Sequence, residues 1–260
     1  MAHRARKRFG QNFLHDPGVI DRIIRAIHPG RDQHLVEIGP GQGAITEHLL
    51  AAAGRLDAIE LDRDLVRLLG RKWADHPGFH LYAADALKFD FCQLAVGGEK
   101  LRIVGNLPYN ISTPLLFHLL ENARCLQDMH FMLQKEVVER MAAGPGSKTY
   151  GRLSVMLQAV CRVHMLFPIG PGAFQPAPKV ASAFVRLIPY QEPPFPIDDP
   201  ALFAKVVTQA FSQRRKTLRN TLKGWVAEEA MENCGIDPQA RAEQLSAKDF
   251  ACLANAGTTD

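Results

Sequence analysis

The stretch Asn106-Leu107-Pro108-Tyr109-Asn110 carries residue types suited to chemistry on the amino group of a nucleobase. Such an amine is a poor nucleophile because its lone pair is delocalised into the ring, and hydrogen-bond acceptors aimed at its protons favour the localised form. The side-chain oxygen of Asn106 and a backbone carbonyl of the turn can be those acceptors, since Pro108 has no N–H. Tyr109 can stack on the base and fix its plane. The same residues equally suit an ordinary strand end and turn in which Tyr109 is half-buried.

A glycine turn lies upstream, at Gly39-Pro40-Gly41-Gln42-Gly43, between an apolar run and a helical pattern. Glycines let the backbone pass close to a ligand, and the start of the following helix offers unpaired N–H groups. The spacing differs from the nicotinamide fingerprint, because Ala44 stands where that fingerprint has its last glycine. Together with the Asn-Leu-Pro-Tyr turn, this pattern favours S-adenosylmethionine over NAD as the cofactor.

Three carboxylates are predicted near the carboxyl ends of successive strands: Glu37, Glu60 and Asp85, the last followed by Ala86. Glu37 suits a cationic amino-acid end, Glu60 two ribose hydroxyls, and Asp85 an adenine amine. Each acid alone is more often a strand-end residue that caps a helix. Three of them around a glycine turn converge on the crevice where such sheets bind ligands, so we expect a cofactor site there.

The elements that must position these residues alternate along the chain. Apolar runs predict strands, and amphipathic patterns between several of them predict helices, which indicates a parallel sheet with helices on both faces. The strands are expected at 35–38, 56–61, 79–84, 101–104, 129–133, 162–167 and 181–188, and the helices at 17–29, 44–53, 64–73, 114–121 and 152–160. A proline-rich stretch, 189–200, predicts a domain boundary near residue 192, with only helices beyond it. We therefore expect a catalytic domain over 1–192 and a helical RNA-binding domain over 193–260.

Composition narrows the class of protein. The hydrophobic fraction of 47% suffices for a packed core, and no run has the length of a membrane span. The basic N-terminus has no apolar segment behind it, so it does not predict a secretory signal. The five cysteines are widely spaced and lack a Cys-x-x-Cys pair, so we expect free, mostly buried thiols in a reducing cytoplasm. The ten histidines are scattered, so no metal site is expected.

The net charge of +4 is unevenly placed. Basic residues crowd two segments, and the second has no acid between Asp199 and Glu228. They are Arg4, Arg6, Lys7, Arg8, Arg214, Arg215, Lys216, Arg219 and Lys223. A charge run is usually a solvated face, but two of them in a chain of otherwise mixed charge indicate a phosphate-backbone partner. We expect a helix break near 212–215, with Arg215, Arg219 and Lys223 on one helical face.

Five motifs occur in a specific order over residues 7–220, nearly the whole chain. They are KRFGQNFL at 7–14, EIGPG at 37–41, NLPYNIS at 106–112, FQPAPKV at 174–180 and FSQRRKTLRN at 211–220. With these motifs the chain resembles the ribosomal RNA adenine N6,N6-dimethyltransferases, and more closely their bacterial small-subunit (16S) type. The resemblance implies a Rossmann-like class I methyltransferase domain with a mostly parallel seven-stranded sheet, plus a small all-helical C-terminal domain.

The resemblance also implies roles for particular residues. Asn12 and Leu14 would close over S-adenosylmethionine, in a pocket that further residues line: Gly39, Gly41, Glu60, Asp85, Ala86 and Asn106. From the residues alone, a helix cap with a hydrophobic staple is the preferred interpretation of 11–14. Phe174 would hold the target base together with Tyr109. Without the resemblance, the sequence of its loop favours a Phe buried in the core. Lys179 suits a phosphate contact or plain solvation equally.

The substrate implied by the resemblance is a pair of adjacent adenosines in a hairpin loop near the 3′ end of small-subunit rRNA, each methylated twice. A loop fits this chemistry, because a base is turned out of a loop more easily than out of a duplex. We expect a monomer that acts on the immature 30S subunit, without a membrane partner.

Three alternatives stay open. The large-subunit (23S) enzymes that confer macrolide resistance share the cofactor and the Asn-x-Pro-Tyr motif, although the 213–219 run favours the small-subunit type. A ribosome assembly factor in which methylation is secondary is compatible with the basic C-terminal segment. A DNA adenine methyltransferase is disfavoured, because Leu107 stands where such enzymes usually have Pro.

Overall fold

The computed structural model describes residues 11–109 and 111–257. The predicted RNA contacts Arg4, Arg6, Lys7 and Arg8, and also Asn110, lie outside the described residues. Within them the chain forms two compact units. One comprises the chain through Val138 together with His164–Pro189, and the other comprises Glu139–Val163 together with the chain from Tyr190 onward. The predicted division at residue 192 stays a prediction.

A seven-stranded sheet organises the first unit. In chain order the strands of the protein are β1 Phe13–Leu14, β2 His34–Ile38, β3 Leu56–Glu60, β4 Phe79–Ala83, β5 Leu101–Asn106, β6 Leu126–Gln134, β7 Cys161–Ile169, β8 Phe174–Gln175 and β9 Ser182–Pro189. The sheet order is β4-β3-β2-β5-β6-β9-β7, with parallel pairing from β4 through β6 and antiparallel pairing of β6 with β9. The expectation of a mostly parallel, Rossmann-like sheet is confirmed. Because β2 has β3 on one side and β5 on the other, the chain reverses its direction of progress there, which opens a crevice at the carboxyl ends.

Helices follow most of the strands. They are α1 Pro17–Ile27, α2 Thr46–Ala53, α3 Arg63–Lys72, α4 Ser112–Glu121, α5 Lys135–Ala142, α6 Arg152–Gln158, α7 Pro200–Ala210, α8 Leu218–Thr221, α9 Glu228–Asn233 and α10 Ala247–Asn255. The Asp16 carboxylate caps α1 by accepting a hydrogen bond from Val19 N at 2.9 Å. The helix ends before the predicted residue 29, because His28 is left-handed with φ of 50° and Pro29 follows it. No helix of the described residues combines the length and the apolar character needed to cross a bilayer.

Buried apolar clusters form the cores. One cluster of the first unit packs α1 and α2 against the sheet around Ile23, Leu35 and Leu49. The cluster of the second unit joins α6, α7 and α10 around Val155, Val206 and Phe250. In the described part of the chain beyond Tyr190 the regular elements are helical, as predicted.

The basic segment of the second unit departs from its predicted geometry. The break between helices is present, since α7 ends at Ala210 and α8 begins at Leu218. However, α8 comprises only Leu218–Thr221. Arg215 and Lys223 therefore lie outside the helix, and the prediction that they share one helical face with Arg219 is wrong. Backbone N–H groups of Leu218 and Arg219, at the start of α8, bond to the carbonyls of Ala240 and Pro238. Beyond α8, Gly224 has a φ of 75°, which ends helical geometry.

The cysteines also depart from expectation. Disulfides join Cys92 to Cys125 and Cys234 to Cys252, and only Cys161 is a free, buried thiol. The prediction of free thiols is wrong for the other four. The partners are 33 and 18 residues apart in sequence but have Cα–Cα distances of 5.5 and 5.9 Å, a proximity that spacing along the chain does not reveal.

Candidate active site

A cavity of about 300 Å³ opens at the carboxyl ends of β2, β3, β4 and β5. It brings together every residue predicted to bind the cofactor or to act in catalysis. These are Asn12, Leu14, Gly39, Gly41, Glu60, Asp85, Ala86, Asn106, Leu107, Pro108, Tyr109 and Phe174. Glu37 lines the same cavity, so the three acids converge on it as expected.

The glycine turn after β2 is required by both conformation and space. Gly39, Gly41 and Gly43 have φ values of 65°, 61° and 82°, a region that residues with a Cβ rarely adopt. A Cβ at Gly41 would lie 3.1 Å from a ring carbon of Phe13, and one at Gly43 would lie 2.3 Å from the Trp73 ring. A side chain at either position would therefore be strained and would clash with a neighbouring ring.

The Glu37 carboxyl is 2% exposed and accepts a hydrogen bond from Thr46 Oγ1 at 2.6 Å. Burial raises the pKa of Glu37 to about 8, against the lowering effect of the Thr46 bond, and nearby Glu60 adds to the rise. With this raised pKa the Glu37 carboxyl is mostly protonated at pH 7.

Glu60 is the last residue of β3, and its carboxylate accepts hydrogen bonds from backbone N–H groups. One oxygen accepts from the backbone N–H groups of Leu61 and Asp62, both at 2.9 Å, and the other accepts from Gly41 N at 3.3 Å. Burial raises the pKa of Glu60, while these backbone donors lower it. A carboxylate has about four acceptor positions, so capacity remains for a ligand hydroxyl. Asp85 is half-buried, and its Oδ1 accepts from Leu87 N at 3.0 Å.

The Asn106 amide lies where β5 ends, half-buried against the cavity. Its Nδ2 donates to the Asn12 carbonyl at 2.9 Å. Because the amide nitrogen is held by Asn12, Oδ1 is the group left to accept from a ligand. Among the described residues Oδ1 has no hydrogen-bond donor. The amide is thus presented at the cavity and is not folded into the protein core.

The turn that follows is held by backbone bonds. Leu107 N donates to the Met132 carbonyl at 3.3 Å, and the Pro108 carbonyl accepts from Ile111 N at 3.1 Å. The Tyr109 carbonyl accepts from Ser112 Oγ at 3.1 Å, and the Tyr109 hydroxyl lies 2.9 Å from Ser182 Oγ. Tyr109 is half-buried and lines the cavity. It is held by hydrogen bonds at its backbone carbonyl and at its hydroxyl.

Phe174 is 2% exposed and belongs to the core cluster of the first unit, yet it also lines the cavity. It starts β8, which pairs antiparallel with β1 so that Leu14 lies opposite Phe174. Residues 13–14 form this strand, and Asp16 caps α1, so the alternative of a helix cap at 11–14 is wrong.

Some cavity residues were missed by reasoning from the sequence. Asp62 lines the cavity, caps α3 and accepts from Gln11 Nε2 at 3.1 Å. Its position two residues after Glu60 at a helix start was an available signal. Ser182, the hydroxyl partner of Tyr109, had no such signal, because it is 73 residues away along the chain.

The predicted RNA contacts in the described residues are all exposed: Lys179, Arg214, Arg215, Lys216, Arg219 and Lys223. They differ in their partners. Arg214 donates from Nε to Glu243 at 2.9 Å and also bonds to the Lys148 carbonyl, while Arg219 pairs with Glu228. Arg215 and Lys216 make no ion pair with any described residue, so their charges are available to a partner.

The chain is similar to proteins of known function over nearly its whole length. The family model described as "Ribosomal RNA adenine dimethylase" matches residues 2–258. A small-subunit ribosomal RNA methyltransferase A from Pseudomonas aeruginosa is 63% identical over 253 residues, which cover 97% of this chain and 94% of that protein.

Two solved structures are also similar. A dimethyladenosine transferase from Plasmodium falciparum aligns with a TM-score of 0.77 and 26% identity, covering 93% of this chain and 95% of that one. The 23S rRNA methyltransferase ErmE aligns with a TM-score of 0.74 and 24% identity, covering 94% of this chain and 99% of that one, a likeness of fold.

Proposed function

The chain belongs to the ribosomal RNA adenine dimethylase family, and from that premise we propose which rRNA it modifies and how its residues act. It is an S-adenosylmethionine-dependent rRNA adenine dimethyltransferase. The proposed substrate is a pair of adjacent adenosines in a hairpin loop near the 3′ end of small-subunit rRNA. The observation that carries the residue roles is the position of Asn106-Leu107-Pro108-Tyr109 beside the glycine turn on one cavity.

The cavity residues fit the cofactor. The side chains of Glu60 and Asp85 offer acceptors for hydroxyl and amine donors, and Gly39 and Gly41 line the cavity with backbone. Asn12 and Leu14 would border the cofactor from β1 and the residue before it. When bound, S-adenosylmethionine supplies a methyl group carried on a sulfonium.

Asn106 acts on the substrate amine. Its Oδ1 accepts a hydrogen bond from one N–H of the amine, because the Asn12 carbonyl already engages Nδ2. A turn carbonyl accepts a hydrogen bond from the other N–H, and that of Pro108 keeps one lone pair beside its bond from Ile111 N. Both acceptors are neutral, so they orient the nitrogen lone pair without placing a charge beside it.

The base is held by aromatic rings. Tyr109 would stack on the purine, since its ring lines the cavity and its backbone and hydroxyl are both tied to the protein. Phe174 would contribute one ring edge or face from the cavity wall, as its exposure of 2% leaves little surface for a full stacking platform. The base must first leave its stack, which is easiest in a single-stranded loop.

The basic residues would contact the RNA backbone and position it without reading its sequence. Arg215 and Lys216 are the strongest candidates in the second unit because no described acid neutralises them. Arg214 and Arg219 would have to share their guanidinium groups with Glu243 and Glu228. Lys179 is an exposed candidate in the first unit.

The choice of small-subunit rRNA is supported by the relative at 63% identity. We extend the proposal to action by a monomer on the immature small subunit in the cytoplasm, where methylation accompanies subunit biogenesis. The test is methyl transfer by the purified protein to isolated small and large subunits that lack the modification. Labelling of the small subunit, with dimethyladenosine found by mass spectrometry, is expected. Labelling of the large subunit alone would overturn the assignment.

A further inference from the structure

A buried serine anchors the aromatic ring of the turn. The Tyr109 hydroxyl lies 2.9 Å from Ser182 Oγ, and Ser182 is 1% exposed at the first position of β9. We infer that Ser182 is a positioning residue, which fixes the plane of the Tyr109 ring against the target base. The inference rests on the proposed role of Tyr109 in the methyl transfer.

Ser182 acts from behind the cavity wall. Tyr109 lines the cavity, whereas Ser182 does not. The serine is held by the sheet, because it lies opposite Gln134 in the antiparallel pair of β9 with β6, and the adjacent Ala181 carbonyl accepts from Lys135 N at 2.9 Å. A hydroxyl on such a rigid support is a fixed point for the far end of the tyrosine side chain.

The near end of Tyr109 is fixed by the turn. Ser112 Oγ donates to the Tyr109 carbonyl at 3.1 Å, at the first residue of α4. A tyrosine ring has two rotatable bonds, so a fixed backbone alone leaves the ring free to swing. With the hydroxyl also held, the ring plane is set before substrate arrives.

This arrangement assigns the Tyr109 hydroxyl to the protein. The hydroxyl takes part in an internal bond with Ser182, in which either oxygen can be the donor. Tyr109 would therefore meet the base with its ring face, and the hydroxyl would contribute through orientation. Small errors of placement lower rates strongly in a reaction that depends on the alignment of two reactants.

A double-mutant cycle tests the inference. Tyr109→Phe, Ser182→Ala and the double variant would be assayed for methyl transfer to undermethylated small subunits, and S-adenosylhomocysteine affinity would be measured by calorimetry. We expect each single variant to lower kcat/KM for the subunit by roughly tenfold, because the misplaced ring aligns the base poorly. The double variant should be no worse than the poorer single one, and the affinity for S-adenosylhomocysteine should stay within about twofold, since the bond serves the base.

Two further variants separate positioning from stability. Ser182→Thr keeps the hydroxyl and should restore most of the activity lost in Ser182→Ala. Ser154→Ala removes another fully buried hydroxyl, one that donates to the Arg140 carbonyl in the second unit, and should leave kcat/KM near the wild-type value. Additive losses in the cycle, or an equal loss in Ser154→Ala, would overturn the inference.

Tyr109→Ala distinguishes this inference from the proposed function. If Tyr109→Ala abolishes methyl transfer while Tyr109→Phe and Ser182→Ala are fully active, only the positioning role of Ser182 is wrong. If Tyr109→Ala is itself fully active, the proposed role of Tyr109 fails, and the inference about Ser182 fails with it.

Discussion

The Asn106 amide donates from Nδ2 to the backbone carbonyl of Asn12 at 2.9 Å, across 94 residues of sequence. The bond joins the end of β5 to the segment just before β1. It also turns the amide so that Oδ1 is the group offered to a ligand. The N-terminal segment, which the family resemblance implies as a cover for the cofactor, thus also orients the residue proposed to act on the substrate amine.

Replacement of Asn106 should separate chemistry from binding. We expect Asn106→Ala to lower the single-turnover rate of methyl transfer by about 10²-fold or more, as for other preorganised groups that stabilise developing charge. Affinity for S-adenosylhomocysteine should fall by less than about tenfold, because Glu60 and Asp85 remain. Calorimetry and rapid-quench assays on the same preparations give both numbers. Equal losses in rate and affinity would reduce Asn106 to a binding residue.

Phe174 should show both a packing role and a substrate role. Phe174→Ala should lower the free energy of unfolding by about 3–5 kcal/mol, as for other buried Phe residues. Phe174→Leu keeps most of the volume and should cost less than about 1.5 kcal/mol, but it removes the ring and should raise KM for the subunit. Phe184→Leu is the matched control, because Phe184 is fully buried in the same cluster and does not line the cavity. An equal rise in KM for both Leu variants would mean that Phe174 is a core residue only.

Much of the fold could be predicted from local patterns. The apolar run at 35–38 predicts a buried parallel strand, and the glycines after it predict a turn with positive φ angles that leads into a helix. The three acids could be placed on one cavity because parallel strands end at one edge of a sheet. These features depend on residues close in sequence or on rules of topology.

The rest depends on contacts between distant segments. The pairing of Leu14 with Phe174 joins two-residue strands, whose length carries no periodicity. The Asn106–Asn12 bond and the Tyr109–Ser182 bond appear only once the chain is folded. The same reason explains why the disulfide of Cys92 with Cys125 was not expected.

Glu37 should make stability depend on pH. Its pKa in the folded protein is raised from 4.5 to about 8, so the folded state binds more protons than the unfolded state between those values. The free energy of unfolding should therefore fall as pH rises from 4.5 to 8, with a slope of up to about 1.4 kcal/mol per pH unit from this group. Glu37→Gln keeps an acceptor for Thr46 and should flatten the profile in urea unfolding at pH 5, 6, 7 and 8. The control Glu47→Gln alters an exposed acid on α2 and should leave the profile unchanged. A wild-type slope retained in Glu37→Gln would contradict the prediction.

Salt dependence of RNA binding should rank the basic residues. The slope of log K against log salt is negative, and each lost phosphate contact should reduce its magnitude by roughly 0.7–0.9. The double variant Arg215→Ala/Lys216→Ala should therefore reduce this magnitude by roughly 1.5. Arg214→Ala should have a smaller effect, since Glu243 already engages this side chain. The control is Lys205→Ala, which removes an exposed cation on α7 and should leave the slope unchanged. Filter binding to small-subunit rRNA at several salt concentrations measures the slopes, and an unchanged slope in the double variant would remove these residues from the interface.

His130 is a buried ring that the fold leaves without hydrogen bonds. It is fully buried on β6 and stacks on Phe184 with ring centroids 5.9 Å apart. Neither ring nitrogen makes a hydrogen bond with a described residue, and Nδ1 lies 3.7 Å from Asp128 Oδ1. Burial lowers the pKa of His130 to about 4, while the nearby Asp128 carboxylate raises it, so the ring is neutral in the folded protein near pH 7. The unfolded chain binds the proton more readily between pH 6.5 and 4, so the contribution of His130 to stability falls as pH falls through that window.

Replacement of His130 by Phe should therefore stabilise the protein. His130→Phe keeps a flat ring against Phe184 and removes two unpaired polar atoms, each of which carries a desolvation penalty of about 1–3 kcal/mol. We expect a gain in unfolding free energy of about 1 kcal/mol at pH 7, since the larger ring offsets part of the benefit, and a greater gain at pH 5.

His118→Phe is the matched control. His118 also lies beside a phenylalanine ring, but its Nε2 bonds to the Phe89 carbonyl at 2.8 Å, so the same change should destabilise the protein. Urea unfolding of both variants at pH 5 and 7 decides the matter, and a loss of stability in His130→Phe equal to that in His118→Phe would show that His130 has a partner in solution.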